Sequence, residues 1–257
     1  MSEATKDVMN EDYLFMKECV LEAGRMMADS ASLNIEQKGA NDFVTNRDKE
    51  IQDYLIGRLS ARFPNAQFVA EEKKNLFNVK GEYFVIDPID GTHNFMNGIP
   101  ICAVCLAYVK DGEVTESFVY NSLMGEMFSA SKGHGAYLNG ERVIRRKSLP
   151  LDRSVILVED GWLGDKKVIR RYAACARILG SAEIGICYAG CGRSGAYLSP
   201  RLHIWDYAAG MLFAEECGLV VLEKDGNRAR LLEPNYILVC EESMKEEMLA
   251  VWREAEL

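Results

Sequence analysis

The stretch Tyr83-Phe84-Val85-Ile86-Asp87-Pro88-Ile89-Asp90-Gly91-Thr92 concentrates the chemistry of this chain. An apolar run ends in a carboxylate, and a second carboxylate follows three residues later. Pro88 pushes Asp87 toward extended geometry, so a buried strand persists up to it. A turn then brings Asp90. Gly91 permits positive φ and close backbone approach, and Thr92 begins a short helix over His93–Met96. A helix start presents N–H groups to an anion. Two carboxylates beside such a start repel a phosphate unless cations intervene. Mg²⁺, a hard ion with oxygen ligands, bridges carboxylates and phosphate oxygens and resolves that conflict.

Two further acidic positions can reach the same place. Glu71-Glu72 directly follows a short strand, Gln67–Ala70, and Asp206 opens an apolar helix after Trp205. Singly, each has a plain reading. A Glu pair is solvated surface, and an Asp at a helix start is a cap. Asp-x-x-Asp alone is most often a turn. Together, at strand ends and helix starts where catalytic residues concentrate, they point to a cation site that handles phosphate.

The surrounding pattern supplies elements to position them. Asn10 caps a helix running to about Asp29, with Glu11 and Asp12 in its first turn. Thr45 and Asp48 form a capping box ahead of a helix whose stripe is Ile51, Leu55 and Leu59. Strands are expected at Tyr83–Asp87, Ile101–Val109, Glu113–Tyr120 and Ala136–Leu138, with hairpin signals at Asp111-Gly112, Asn139-Gly140 and Asp225-Gly226. Further on come a strand at Val155–Val158, a helix at Lys166–Leu179, a strand at Ile184–Ile186 and a helix at Cys187–Leu198. A helix over Asp206–Cys217, strands at Leu219–Leu222 and Ile237–Cys240, and a helix near Ser243–Glu254 complete the chain. Hairpins mixed with helices predict an α/β (α+β) layered sandwich. A single domain is expected, with halves of about 1–147 and 148–257 joined at Arg145–Asp152.

Composition narrows the partners. The 257 residues carry 39 Asp+Glu against 30 Lys+Arg, a net charge of −9. That sign disfavours nucleic acid and anionic membranes. Met1–Asp12 is polar and acidic, with no basic n-region or apolar h-region, so a secretory signal is not expected, and Gly98–Val109 falls short of the ~20 residues a membrane helix needs. A cytoplasmic protein is expected, with its eight cysteines free. Cys102-x-x-Cys105 lies on a strand, where residues three apart face opposite sides, so a zinc or redox role is not expected.

At this point the sequence resembles the inositol monophosphatase family of Mg²⁺-dependent, lithium-sensitive phosphomonoesterases. The resemblance rests on Asp87-Pro88-Ile89-Asp90-Gly91-Thr92 with Asn94-Phe95, on Glu71-Glu72, and on Trp205-Asp206 with Ala208-Ala209-Gly210. It also rests on Asp42-Phe43-Val44-Thr45 with Asp48, and on the turn Gly133–Gly140. It implies an αβαβα sandwich, usually dimeric, that uses two or three Mg²⁺ ions. Glu71, Asp87 and the Ile89 carbonyl would hold one ion, and Asp87, Asp90 and Asp206 a second. Glu71 would share a third through waters. The Gly91 and Thr92 amides would grip phosphate. Thr92, linked to Asp48, would orient and help deprotonate the attacking water.

The sequence also departs from the family. Members that favour inositol phosphate carry a Glu where Ser199 stands here. Gly180-Ser181-Ala182 fits a substrate-facing turn, with Ala182 expected against the substrate. Glu183 replaces a residue that is commonly small or apolar, and it is expected, like Arg201, at the pocket rim. His93 is read as a loop residue near the site, His203 as packing, and Lys38 as solvated near the entrance. The expected substrate is a small phosphate ester: an inositol, sugar or polyol phosphate. Fructose 1,6-bisphosphate, histidinol phosphate and 3′-phosphoadenosine 5′-phosphate are alternatives on the same fold. A non-catalytic interaction protein is the alternative class.

Overall fold

Two β-sheets alternate with helices, and burial along each strand shows which side faces what. The computed structural model describes residues 10–29, 33–39, 42–73, 81–159, 171–231 and 235–255. The first part holds α1 (Glu11–Ala28), the hairpin β1 (Ile35–Gly39) and β2 (Asp42–Thr45), and α2 (Asn46–Arg62). Next come β3 (Gln67–Ala70), β4 (Glu82–Asp90) and the short α3 (Thr92–Met96). Then follow β5 (Ala103–Lys110), β6 (Glu113–Asn121), β7 (Glu126–Ser131), β8 (Gly135–Leu138) and β9 (Glu141–Arg142). The second part holds β10 (Val155–Val158), β11 (Cys175–Arg177), α4 (Ala182–Gly190), β12 (Ala196–Leu202) and α5 (Ala208–Glu216). It ends with β13 (Val220–Leu222), β14 (Asn235–Cys240) and α6 (Lys245–Ala255).

Strands β3 to β9 form one sheet in chain order, antiparallel except for the parallel pair β3–β4. The other sheet has the order β11-β10-β12-β14-β13. Three apolar clusters define the layers. Met16, Val20, Ile51 and Leu55 of α1 and α2 pack on Phe84, Ile86 and Leu106 of the large sheet. Its other face, through Val85 and Cys105, meets Ile184, Ile186, Met211 and Phe213 of α4 and α5. These helices also cover Tyr197 and Val239 of the smaller sheet. Met248 and Trp252 of α6 seal that sheet's far face through Leu198 and Leu238. The result is the expected αβαβα sandwich. Among the described residues no helix is long and apolar enough to cross a membrane.

Several local expectations change. Ile184–Ile186 is not a strand but lies inside α4, and Cys187–Leu198 is not one helix, because Ala196–Leu202 is strand β12. The reason is position. A helix wedged between two sheets is apolar all round, so it shows no helical stripe and a short piece reads as a strand. The expected helix Lys166–Leu179 stops short, since Cys175–Arg177 is the edge strand β11; residues 166–170 lie outside the described residues. Strand β4 does not turn after Asp87 but runs on to Asp90. Asp87 pairs with Cys105 and Asp90 with Ala103, so three steps on β4 face two on β5. This bulge absorbs Pro88, which has no N–H to give the ladder. The β1–β2 hairpin and β7 are additions that no sequence signal had marked, whereas β9 is the return strand of the hairpin expected at Asn139-Gly140.

Candidate metal and phosphate site

The acidic residues converge because four separate elements end at one place. Glu71 leaves β3, Asp87 and Asp90 flank the bulge of β4, Asp48 sits in the first turn of α2, and Asp206 closes the 3-10 turn Ile204–Asp206. Parallel pairing of β3 with β4 sets Ala70 opposite Ile86, and the Glu71 amide donates to the Ile86 carbonyl at 3.2 Å. That bond delivers Glu71 beside Asp87.

Asp48 is fixed by its capping box. Its Oδ2 accepts from the Thr45 amide at 2.8 Å and the Thr45 hydroxyl at 2.5 Å. Its Oδ1 faces the Thr92 hydroxyl at 3.5 Å, and that hydroxyl also lies 3.0 Å from the Ile89 carbonyl. Thr92 follows Gly91, whose φ of +86° starts α3. A Cβ on Gly91 would stand 2.9 Å from both the Gly180 and Ile101 carbonyls, so only glycine fits. Asn94 ties this loop down by donating to the Ile101 and Leu179 carbonyls, each at 2.7 Å.

Asp90 points at the start of α4. It accepts from the Ser181 hydroxyl at 2.5 Å, the Ala182 amide at 3.1 Å and the Glu183 amide at 2.9 Å. Asp206 accepts from the His203 amide at 2.7 Å. Lys38 reaches from β1 to Glu72 and stands 3.8 Å from Glu71. It is therefore engaged with the acidic pair rather than simply solvated. Asp87 differs from the others: it is buried, and its Oδ1 has no hydrogen-bond partner.

Burial and mutual repulsion raise the carboxylates' proton affinity. Glu71 is pushed up to about 8, chiefly by burial and further by Glu72, Asp206 and Asp48, while Lys38 opposes the shift. Asp87 is pushed well up by burial and then by Glu71, Asp90, Asp206 and Asp48. Asp90 reaches only about 6, because its hydrogen bonds to the α4 start offset part of the burial cost. Such a group of acids carries an unmet demand for positive charge.

Among the described residues no three His, Cys, Asp or Glu side chains stand as a finished metal cage. Lys38, the α4 amides and the His203 amide draw the carboxylates toward protein donors instead. The donor set still suits a hard divalent ion: all-oxygen ligands, an unpartnered buried Asp87 oxygen, and repulsion that a cation relieves. Glu71, Asp87, Asp90, Asp206 and the Ile89 carbonyl are the residues that fit one.

Other expected site residues fall in different places. Ala182 is near the centre, bonded to Asp90. Glu183 does not belong to a rim: it is 0% exposed, and its carboxylate accepts from the Ala209 amide at 3.0 Å and from the Gly210 amide. Ser199 is buried on β12 with a hydroxyl that has no partner. Arg201 is exposed beside Tyr236. His203 stacks on Trp205 at 4.8 Å. His93 packs edge-on against Phe43 at 5.3 Å. Cys102 and Cys105 lie in opposite core clusters, and all eight cysteines are free. Sequence reading missed the Ser181 hydroxyl as a partner of Asp90. The turn Gly180-Ser181-Ala182 was the available signal.

A layered sandwich with a buried acid cluster at its strand ends is the architecture of a metal-dependent phosphomonoesterase. The model of the inositol monophosphatase family matches residues 9–256, and the chain belongs to that family. A fructose-1,6-bisphosphatase/inositol-1-monophosphatase of Thermotoga maritima is 35% identical over 208 residues, 79% of this chain and 80% of the relative. The Nus factor SuhB of Escherichia coli K12 is 31% identical over 216 residues, covering 80% and 81%. A solved IMPase/NADP phosphatase complexed with Mg²⁺ and phosphate superposes with a TM-score of 0.86 at 25% identity, covering 97% of this chain and 96% of that one.

Proposed function

We propose that this chain hydrolyses a small phosphate monoester, an inositol phosphate or a related sugar or polyol phosphate, with two or three Mg²⁺ ions. The observation that carries the reading is the buried Asp87 oxygen without a protein partner, set among Glu71, Asp90, Asp206 and Asp48. Glu71, Asp87 and the Ile89 carbonyl would hold one ion, Asp87, Asp90 and Asp206 a second, and Glu71 would share in a third. Bound there, the ions would neutralise charge on the phosphate and leaving oxygens and lower the pKa of water.

The chain's own residues do the positioning. The Gly91 and Thr92 amides take the phosphate, with Ala182 against the substrate. The Thr92 hydroxyl, held between Asp48 and the Ile89 carbonyl, orients the attacking water. Asp48 takes the proton relayed through Thr92. Burial raises its proton affinity above that of an ordinary carboxylate, against its bonds to Thr45, which makes it a better proton acceptor.

The name of the Thermotoga relative joins fructose 1,6-bisphosphate to inositol phosphate. Fructose 1,6-bisphosphate, histidinol phosphate and 3′-phosphoadenosine 5′-phosphate are therefore tested together with inositol phosphates. A panel of these esters, scored by kcat/KM with and without Mg²⁺, tests the reading. Hydrolysis that needs no divalent ion refutes it. Ser199 stands where inositol-preferring members carry a Glu, so another ester should be hydrolysed faster than inositol phosphate; an inositol phosphate rate equal to the best refutes that expectation.

The relative named as a Nus factor prompts a second reading, an interaction protein, which in its strictest form keeps the fold and has no turnover. Asp90→Asn separates the two: hydrolysis should fall by orders of magnitude while the fold survives. A homodimer, inhibition by lithium and a cytoplasmic location complete the proposal. The net charge of −9 supports a small, metal-neutralised phosphate over a nucleic acid or membrane partner.

A further inference from the structure

The two central helices are joined by a carboxylate relay that begins at the site. Asp90 on β4 accepts from the first amides of α4, at Ala182 and Glu183. The Glu183 side chain, one helical step inside α4, then accepts from the first amides of α5, at Ala209 and Gly210. The 3-10 turn carrying Asp206 leads directly into α5. Asp90 comes from the first sheet and Asp206 from the second half of the chain. The residues linking them are thus Asp90, the α4 start, Glu183 and the α5 start.

A carboxylate sealed this deeply is costly unless its acceptor sites are filled. Here two amides of a helix start meet it, where the helix dipole favours negative charge, and they offset part of the burial that holds its proton affinity well above the usual carboxylate range. The fit is close from the other side too. A Cβ on Gly210 would lie 2.5 Å from Glu183 Oε2 and 2.8 Å from Ile186, so α5 approaches only because residue 210 is glycine.

We infer that Glu183 is a positioning residue: it anchors the start of α5 to α4 and thereby holds Asp206 at the distance from Asp90 that a shared divalent ion requires. It touches neither substrate nor ion. This inference rests on the proposed metal-dependent function. Glu183→Gln keeps the shape but turns an N–H₂ toward one of the two α5 amides, and that bond is lost. Gly210→Ala pushes on the same contact from the α5 side.

The test is a titration of the unligated chain with Mn²⁺ alone, followed by electron paramagnetic resonance, with thermal melting of the metal-free protein alongside. In both variants one ion should bind about tenfold more weakly, ~1.4 kcal/mol, while the ion at Glu71 and Asp87 binds as before. A merely structural Glu183 lowers the melting temperature and leaves both binding steps unchanged, which overturns the inference. A wild-type chain that binds no Mn²⁺ overturns the proposed function itself, and the inference with it. Hydrogen exchange on the unaltered chain is a check independent of any variant's folding. The Ala209 and Gly210 amides should exchange slowly without metal, and rapid exchange there overturns the relay.

Discussion

Gly91→Ala tests the site loop with a magnitude that the structure supplies. Gly91 has φ +86°, and an L-residue in that region costs about 1–2 kcal/mol. The added methyl also meets two backbone carbonyls at 2.9 Å, which no side-chain rotation relieves. Forcing such an overlap costs about 1–3 kcal/mol. The sum is about 2–5 kcal/mol, or roughly 4–10 °C in melting temperature if each kcal/mol is worth about 2 °C at this chain length. Gly98 is the internal control: its φ is +71°, and nothing stands within 4 Å of its missing Cβ. Gly98→Ala should show the backbone cost alone, about 1–2 kcal/mol. Activity should diverge more sharply, because one of the carbonyls that Gly91 meets belongs to Gly180, beside the Ser181 that holds Asp90. We expect kcat/KM to fall at least about 100-fold in G91A, as small misplacement of reacting groups does, and to stay within a few-fold in G98A. Differential scanning calorimetry and phosphate release measure both. Equal melting shifts in the two variants would refute the close-packing argument, and full activity in a destabilised G91A would refute the placement of the loop in the site.

Two more outcomes follow from the same geometry. Glu71 and Asp90 hold protons up to about pH 8 and 6, whereas the unfolded chain releases them near the ordinary carboxylate range. The native state therefore binds more protons between roughly pH 4 and 8, and metal-free stability falls as pH rises through that window. Saturating Mg²⁺ should flatten the slope, and Glu71→Gln should remove its upper part; melting curves from pH 5 to 8 that show no such difference would contradict the acid cluster. Thr45→Val should cost about 1 kcal/mol through loss of the helix cap and lower kcat more than KM, because Asp48 loses its 2.5 Å partner. Thr45→Ser should restore both, and a stability loss with unaltered kcat would detach Asp48 from the reaction.

Local chemistry made much of this protein legible in advance. The helix caps at Asn10 and Thr45 and the Asp-Gly and Asn-Gly hairpins depend on neighbours within a few residues. They could be read directly, and so could the acidic motif. What exceeded local reach was decided by packing. Ile184–Ile186 became helix because α4 lies between two sheets, where an all-apolar surface carries no period. Asp90 remained on β4 because its partner β5, more than ten residues away, accommodates the bulge at Pro88. Glu183 read as a pocket-rim residue because a buried charge needs partners that sequence alone does not display. Those partners are the first amides of a helix that begins 25 residues later. Residue types and spacing thus determined which groups could do chemistry. The tertiary structure decided which of them meet, because a carboxylate's role is set by the donors and charges that folding brings around it.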